Sequence, residues 1–349
     1  MLTLYTLEQS EKWDSVVRSF EKHDAYWLSG YVKAFYIHGD GEPLLFYYCD
    51  ESIRGINVVM KRDVAQDKHF SGKIPGGKYF DFATPYGYGG WVMEGVKPES
   101  SLNTEPLFNA YSTWLQRHGI ISEFVRFHPM LKNHEACQKF YEVLRLGEVV
   151  HMDLSSREGI WNNIISKNRN VIRKAIKNNI KVYNGRFPEI YKRFRAIYNS
   201  TMDKDNAEDY YYFGEQFYES VLNDLPNNAQ IFWAEKDGTI IAASIMLATN
   251  GYMNYHLSGS LREFNSLAPT NLLIYEAALW GNANGYRTLY MGGGVGSGED
   301  NLFKFKHAFY KGDLNRFYIG KKIVDNEKYN QLLRMREPSD SGFFPEYRA

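Results

Sequence analysis

Apolar runs along the chain alternate with turn-forming residues, and the same order of elements is predicted twice. In the first half, residues 44–48 and 56–60 are apolar runs around Asp50 and Glu51, which reads as a hairpin. In the second half, residues 231–234 and 240–246 flank Lys236, Asp237 and Gly238. Asp-Gly between two apolar runs favours a tight hairpin turn. Helix-like residues 105–117 end at His118 and Gly119 and lead into a strand-like run, 122–126. Their counterpart, residues 270–283, ends at Asn284 and Gly285 and leads into 288–291. Both glycines stand where a helix takes its left-handed C′ residue. Each half therefore reads hairpin, third strand, helix, strand, which predicts an internal duplication. A boundary is expected near 150–160, giving domains over 1–153 and 154–349, each an α/β unit.

The chemistry-bearing segment with the most information is residues 291–309. A strand ending at Met291 meets glycines at 292, 293, 294, 296 and 298, then a short helical stretch with Lys304, Lys306 and phenylalanines 303, 305 and 309. Glycine lets a backbone approach a ligand closely, and a lysine just beyond can meet developing negative charge. The other reading is a loop that merely closes a strand. The run is neither a P-loop nor a Rossmann fingerprint, since it lacks both the Gly-Lys-Ser/Thr ending and the G-x-G-x-x-G spacing. Thr84 to Gly90 places Tyr86 and Tyr88 among a proline and three glycines, either as a ligand-facing loop or as a turn with packed tyrosines. Residues 161–178 read as one amphipathic helix, whose basic face holds Lys167, Arg169, Arg173, Lys174 and Lys177, with Lys181 just beyond. That face is either solvated or phosphate-binding. Tyr255 and His256 lie on the third strand of the second half, ahead of a helix that starts near Pro269. In α/β proteins that is a usual ligand position.

Composition narrows the choices. Formal net charge is zero, so no global field draws nucleic acid or an anionic membrane. The 27 tyrosines and 22 phenylalanines suit a folded protein with an amphipathic cleft. Cys49 and Cys137 read as separate buried thiols in a reducing compartment. The start of the chain does not read as a signal peptide, and no apolar run nears the ~18 residues of a membrane span, so a cytoplasmic location is expected. The histidines lack metal-ligand spacing and no G-x-S-x-G occurs, which argues against a metalloenzyme or serine hydrolase.

Three motifs together resemble a family. The segments 85–90, 166–175 and 305–309 are similar, in order and spacing, to the signatures of Fem-type transferases within the GNAT-fold acyltransferases. The resemblance spans about residues 25–320. It implies two tandem GNAT-like domains, each a mixed, mostly antiparallel sheet flanked by helices. It also implies transfer of an acyl group to an amine, as Fem enzymes move an amino acid from aminoacyl-tRNA to a peptidoglycan precursor. The family's catalytic lysine maps onto Lys306 with Phe305 beside it, and Lys304 is a near neighbour. Tyr86, Tyr88, Arg169, Arg173, Tyr255 and Lys304 are the expected substrate-binding residues. His256, His307 and Asp300 are the candidates for a general base, and no metal is expected.

The chain departs from its relatives in lacking a long helical arm. It also lacks the glycine-rich acyl-coenzyme A signature, since residues 261–270 carry no glycine. The resemblance thus favours aminoacyl-tRNA as donor and a nucleotide- or lipid-linked envelope precursor as acceptor, with peripheral membrane contact allowed and no tightly bound cofactor. The alternatives are an acetyl-coenzyme A-dependent enzyme acting on an envelope amino sugar, and a non-enzymatic module binding glycan or nucleic acid.

Overall fold

A computed structural model describes residues 1–97, 102–337 and 342–349. The elements run β1 (Leu2–Tyr5), α1 (Ser10–Arg18), α2 (Ser29–His38), β2 (Glu42–Cys49), β3 (Ile53–Asp63), β4 (Phe80–Ala83), β5 (Val92–Gly95), α3 (Glu105–Arg117), β6 (Ile120–Arg126) and β7 (Glu142–Asp153). They continue with α4 (Arg157–Asn163), α5 (Ser166–Lys177), β8 (Lys181–Gly185), α6 (Pro188–Lys204), α7 (Glu215–Asp224), β9 (Ala229–Lys236), β10 (Thr239–Thr249) and β11 (Tyr252–Ser260). The last are α8 (Pro269–Ala283), β12 (Thr288–Gly292), α9 (Asn301–His307), β13 (Asn315–Ile323) and α10 (Asn326–Arg334). No helix among the described residues is long and apolar enough to cross a membrane.

Two compact units form, one from residues 1–146 and 317–349, the other from 147–316. In the first, β1, β2, β3 and β4 pair antiparallel in turn, with β5 beside the start of β3. Strand β4 is parallel to β6, and β6 takes β13 antiparallel. In the second, β8, β9, β10 and β11 pair antiparallel in turn, β11 is parallel to β12, and β12 takes β7 antiparallel. The pairing order is the same in both units, and a helix, α3 or α8, precedes the fifth strand of that order each time.

Local chemistry makes these elements. Asp237 and Gly238 both have positive φ, as the two-residue turn between β9 and β10 requires. Asp50 Oδ1 accepts from the Ser52 and Ile53 N–H groups at 2.8 Å, which closes the β2–β3 hairpin. Gly119 and Gly285 take φ of +67° and +79° just past α3 and α8. Their cores are separate: Phe46, Phe82, Trp91, Phe108 and Tyr111 fill the first unit, and Phe232, Met246, Leu273, Met291 and Phe309 fill the second.

Two expectations change. The helix over 161–178 is broken into α4 and α5, because Ile164 and Ile165 are extended. Ile164 is fully buried there and the Ile165 N–H donates to Ala308 O at 3.1 Å, so two helical hydrogen bonds give way to core packing. Lys181 consequently lies on β8. The tail expected in a domain over 154–349 instead packs into the first unit. Strand β13 pairs with β6, and Arg348 holds the buried Asp81 at 2.6 Å and Asp67 at 3.1 Å. Tyr347 adds a hydrogen bond from its hydroxyl to Asp81 at 3.0 Å.

Candidate active site

The parallel pair β11–β12 stays joined for only three residue pairs, ending at Asn254–Tyr290. Strand β11 then runs on to Ser260, while β12 keeps its pairing with β7 through a register shift to Gly292–Val150. The two strands part, and Tyr255 and His256 sit where they separate. From β12 the chain enters the glycine loop. Gly292 has φ of +80°, and a Cβ on Gly294 would collide with Gly298 O and Asp300 Oδ1. Only glycine allows the chain through at those two points.

Asp300 ends the loop and caps α9. Its Oδ1 accepts from the Phe303 N–H at 2.8 Å and its Oδ2 from the Val295 N–H at 3.1 Å. These amide donors hold its carboxyl below the usual range. Residues 303, 306 and 309 follow at three-residue spacing and share one helical side. Phe303 and Phe309 are buried in the core, so Lys306 is carried inward with them to 9 % exposure. Phe305 is half-buried and meets Phe309 edge to face at 5.5 Å.

The Lys306 ammonium donates to Gly293 O at 2.7 Å, which fixes it over the loop backbone. Burial lowers its pKa to about 8, against an opposing pull from Asp300. The group is still mainly cationic at neutral pH. A cation held in a partly dry site, beside a loop that lacks side chains, is suited to stabilise an oxyanion.

The other expected residues divide into groups. Lys304 and His307 are exposed on α9, and the His307 ring meets Phe303 at 5.6 Å. Arg169 and Arg173 lie on α5, where Arg173 stacks over Trp161 at 5.0 Å and bonds Asn170. Helix α5 is tied to α9 by Asn168, a residue whose role the sequence did not signal. Its amide donates to Ala308 O at 3.2 Å and accepts from Asn271 of α8 at 2.8 Å. One buried asparagine thus joins three helices around the loop. Tyr255 is half-buried against the core, and burial pushes its hydroxyl up to about 12. Burial pushes His256 down to about 3, which makes it a poor proton acceptor. Asp300 has both oxygens engaged by the cap. Tyr86 and Tyr88 belong to the first unit. Tyr86 stacks on Phe35 at 5.3 Å, and Tyr88 is 8 % exposed among Tyr26, His128 and Phe317.

The stretch between β11 and α8 bears on coenzyme A. Residues Arg262–Leu267 form a short 3-10 helix, and the Phe264 and Ala268 N–H groups bond to Leu261 O and Asn265 O. Position 269, the first of α8, is a proline with no N–H. Positions 264, 268 and 269 therefore offer no free amide to a pyrophosphate.

Residues 166–307 match the family model described as an acetyltransferase (GNAT) domain. That match covers most of the second unit, residues 147–316. The solved structure of FemX is similar over 96 % of this chain and 100 % of its own, with TM-score 0.68 and 12 % identity. The structure of L-PGS from Bacillus licheniformis is similar over 93 % and 96 %, with TM-score 0.58 and 14 % identity. At these identities the likeness is one of fold, and it extends over nearly the whole chain. No curated protein sequence matches the chain.

Proposed function

We propose that the chain is a Fem-like N-acyltransferase that moves an aminoacyl group from aminoacyl-tRNA to an amine of a cell-envelope precursor of the peptidoglycan type. The observation that carries this reading is Lys306, buried and fixed at the end of the glycine loop where β11 and β12 part. A neutral acceptor amine attacks the ester carbonyl of the donor. The C–N bond forms, the C–O bond breaks, and the amine's proton passes overall to the departing oxygen. Lys306 stabilises negative charge on the carbonyl oxygen while this occurs. His256 is a poor proton acceptor and Asp300 is engaged by the cap, so a carboxylate or phosphate of the substrate takes the proton.

The basic face of α5, with Arg169 and Arg173, supplies contacts for phosphates. The engaged amides between β11 and α8 favour this donor over acetyl-coenzyme A, and the fold shared with FemX supports the acceptor class. The test is transfer of a labelled amino acid from charged tRNA to a nucleotide-linked peptidoglycan precursor, with acetyl-coenzyme A as the rival donor. Transfer from tRNA that is lost in Lys306→Ala supports the reading. Transfer from acetyl-coenzyme A alone overturns the donor assignment.

A further inference from the structure

Helix α9 carries Lys306 but has only 7 residues, too few to hold itself in place. On its N-terminal side it hangs from the glycine loop, whose glycines at 292, 293, 294, 296 and 298 give the backbone little stiffness. Buried Phe303 and Phe309 draw the helix against the core. Apolar burial is non-directional, so it leaves the helix free to slide or turn by small amounts. A directional anchor is needed at the other end.

The break between α4 and α5 supplies it. Ala308 O, at the C-cap of α9, accepts from the Ile165 N–H at 3.1 Å and from Asn168 Nδ2 at 3.2 Å. Lys311, just beyond, donates from its N–H to Asn163 O at 2.9 Å and from its ammonium to Asn162 O at 2.8 Å. Asn168 is itself held, since its Oδ1 accepts from Asn271 Nδ2 of α8 at 2.8 Å. Residues 168, 172 and 175 form the buried face of α5, where Ile172 and Ala175 are apolar. An asparagine in that row carries a desolvation cost that an apolar residue would not. What it adds is direction, with one end of the amide turned to α9 and the other to α8.

We propose that Asn168 is a positioning residue for Lys306: braced by Asn271, it fixes the Ala308 end of α9 and so the place of the ammonium over Gly293 O. This rests on the reading of Lys306 as the group that meets the oxyanion. Lys306 precedes Ala308 by two positions, so a shift of that end is passed on to the ammonium. A displacement of about 1 Å is enough to cost on the order of 10²-fold in rate. Asp300 is the charged group that bears on Lys306, and it sits at the opposite end of α9. Asn168 is neutral, so it acts on the lysine through placement alone.

The test uses Asn168→Leu, which is close in size and removes both polar bonds. Ala308 O keeps the Ile165 N–H and Asn271 is only half-buried, so the variant unfolds at nearly the same temperature. NMR of isotope-labelled lysine follows the titration directly, the Lys306 signal being the one lost in Lys306→Ala. In Asn168→Leu the loosened ammonium meets water, and its pKa rises from about 8 toward 10.5. In transfer assays kcat falls about tenfold or more with KM nearly unchanged, and the decline of turnover at high pH moves upward with the lysine. Asn271→Ala, which spares the Ala308 bond but loosens Asn168, shifts the titration the same way by less.

An unchanged Lys306 titration in folded Asn168→Leu overturns the proposal. So does a loss of stability without that change, which would make Asn168 structural only. If Asn168→Leu does not fold, Asn271→Ala decides: a shift supports the proposal and no shift overturns it. The titration needs no substrate. A shifted titration with no transfer from charged tRNA by any form therefore supports the role of Asn168 and counts against the donor alone.

Discussion

The ends of strands β6 and β12 occupy the same place in the two units, and they are treated in opposite ways. In the first unit the parallel pairing goes on past β4. Thr84 N–H donates to Phe124 O at 3.0 Å, Gly89 N–H donates to Arg126 O at 2.8 Å, and Gly89 bridges Phe127. The end is then sealed. Asn133 accepts from the His128 N–H at 2.9 Å and donates to Gly89 O and Trp91 O at 2.9 and 3.1 Å. The Leu131 N–H donates to His128 Nδ1, which leaves Nε2 to donate to Asp24 at 2.8 Å, both side chains being fully buried. In the second unit the pairing stops at Asn254–Tyr290, and a glycine loop with a buried lysine follows. One copy of the fold closes the end of this strand with satisfied polar groups. The other leaves it open with a cation that burial makes costly, and strain of that kind is a mark of functional sites.

The largest expected effect breaks the sealed end. Asp24→Ala removes the buried carboxylate that accepts from the His128 ring and the Ala25 N–H and lowers stability by about 3–5 kcal/mol in denaturant unfolding. Little change would mean that the first unit's end is less tightly built than its contacts indicate. Next comes the open end, where Lys306→Met should raise stability at pH 7 by on the order of 1–3 kcal/mol while abolishing transfer. The sign follows from protons bound. The folded pKa, about 8, is below the unfolded value of 10.5, so the unfolded chain holds more protons between them. Burial of Lys306 therefore destabilises the protein fully below about pH 8, and stability returns as pH rises toward 10.5. Unfolding of both forms across pH 7 to 10.5 should show the gap closing; a constant gap would contradict the buried cation.

A smaller effect sharpens the lysine's role. Turnover should decline as pH rises through about 8, where Lys306 loses its charge. Lys306→Arg, with a charge that persists, should be slower but lack that decline. Smallest of all, Asp300→Ala removes the α9 cap and should lower the unfolding midpoint slightly. It also removes a carboxylate that favours the charged lysine, so the decline in turnover should move to lower pH.

Much of this arrangement is legible in local sequence, because it is written in turns and caps. Asp237-Gly238 marks its hairpin, Gly119 and Gly285 mark the ends of their helices, and the glycine run followed by lysine marks the loop. The remainder depends on contacts between distant residues. Nothing near Asn254 records that pairing with β12 stops there, where the partner strand shifts register against β7 between Tyr290 and Gly292. The break at Ile164 depends on Ala308 accepting from Ile165, more than 140 positions away. The tail joins the first unit because Asp81 offers Arg348 and Tyr347 a buried carboxylate, which no pattern around residue 348 reveals. Tyr88 follows the same rule: its turn residues suit a presented loop, and Tyr26, His128 and Phe317 close over it.

The central claim is that Lys306 acts on the transition state at the open end. Its most direct test is kcat and KM for Lys306→Ala in transfer from charged tRNA. The account predicts a fall in kcat of about 10²–10³ with KM nearly unchanged, as for loss of one oxyanion donor. Near-normal kcat in a folded variant would contradict it.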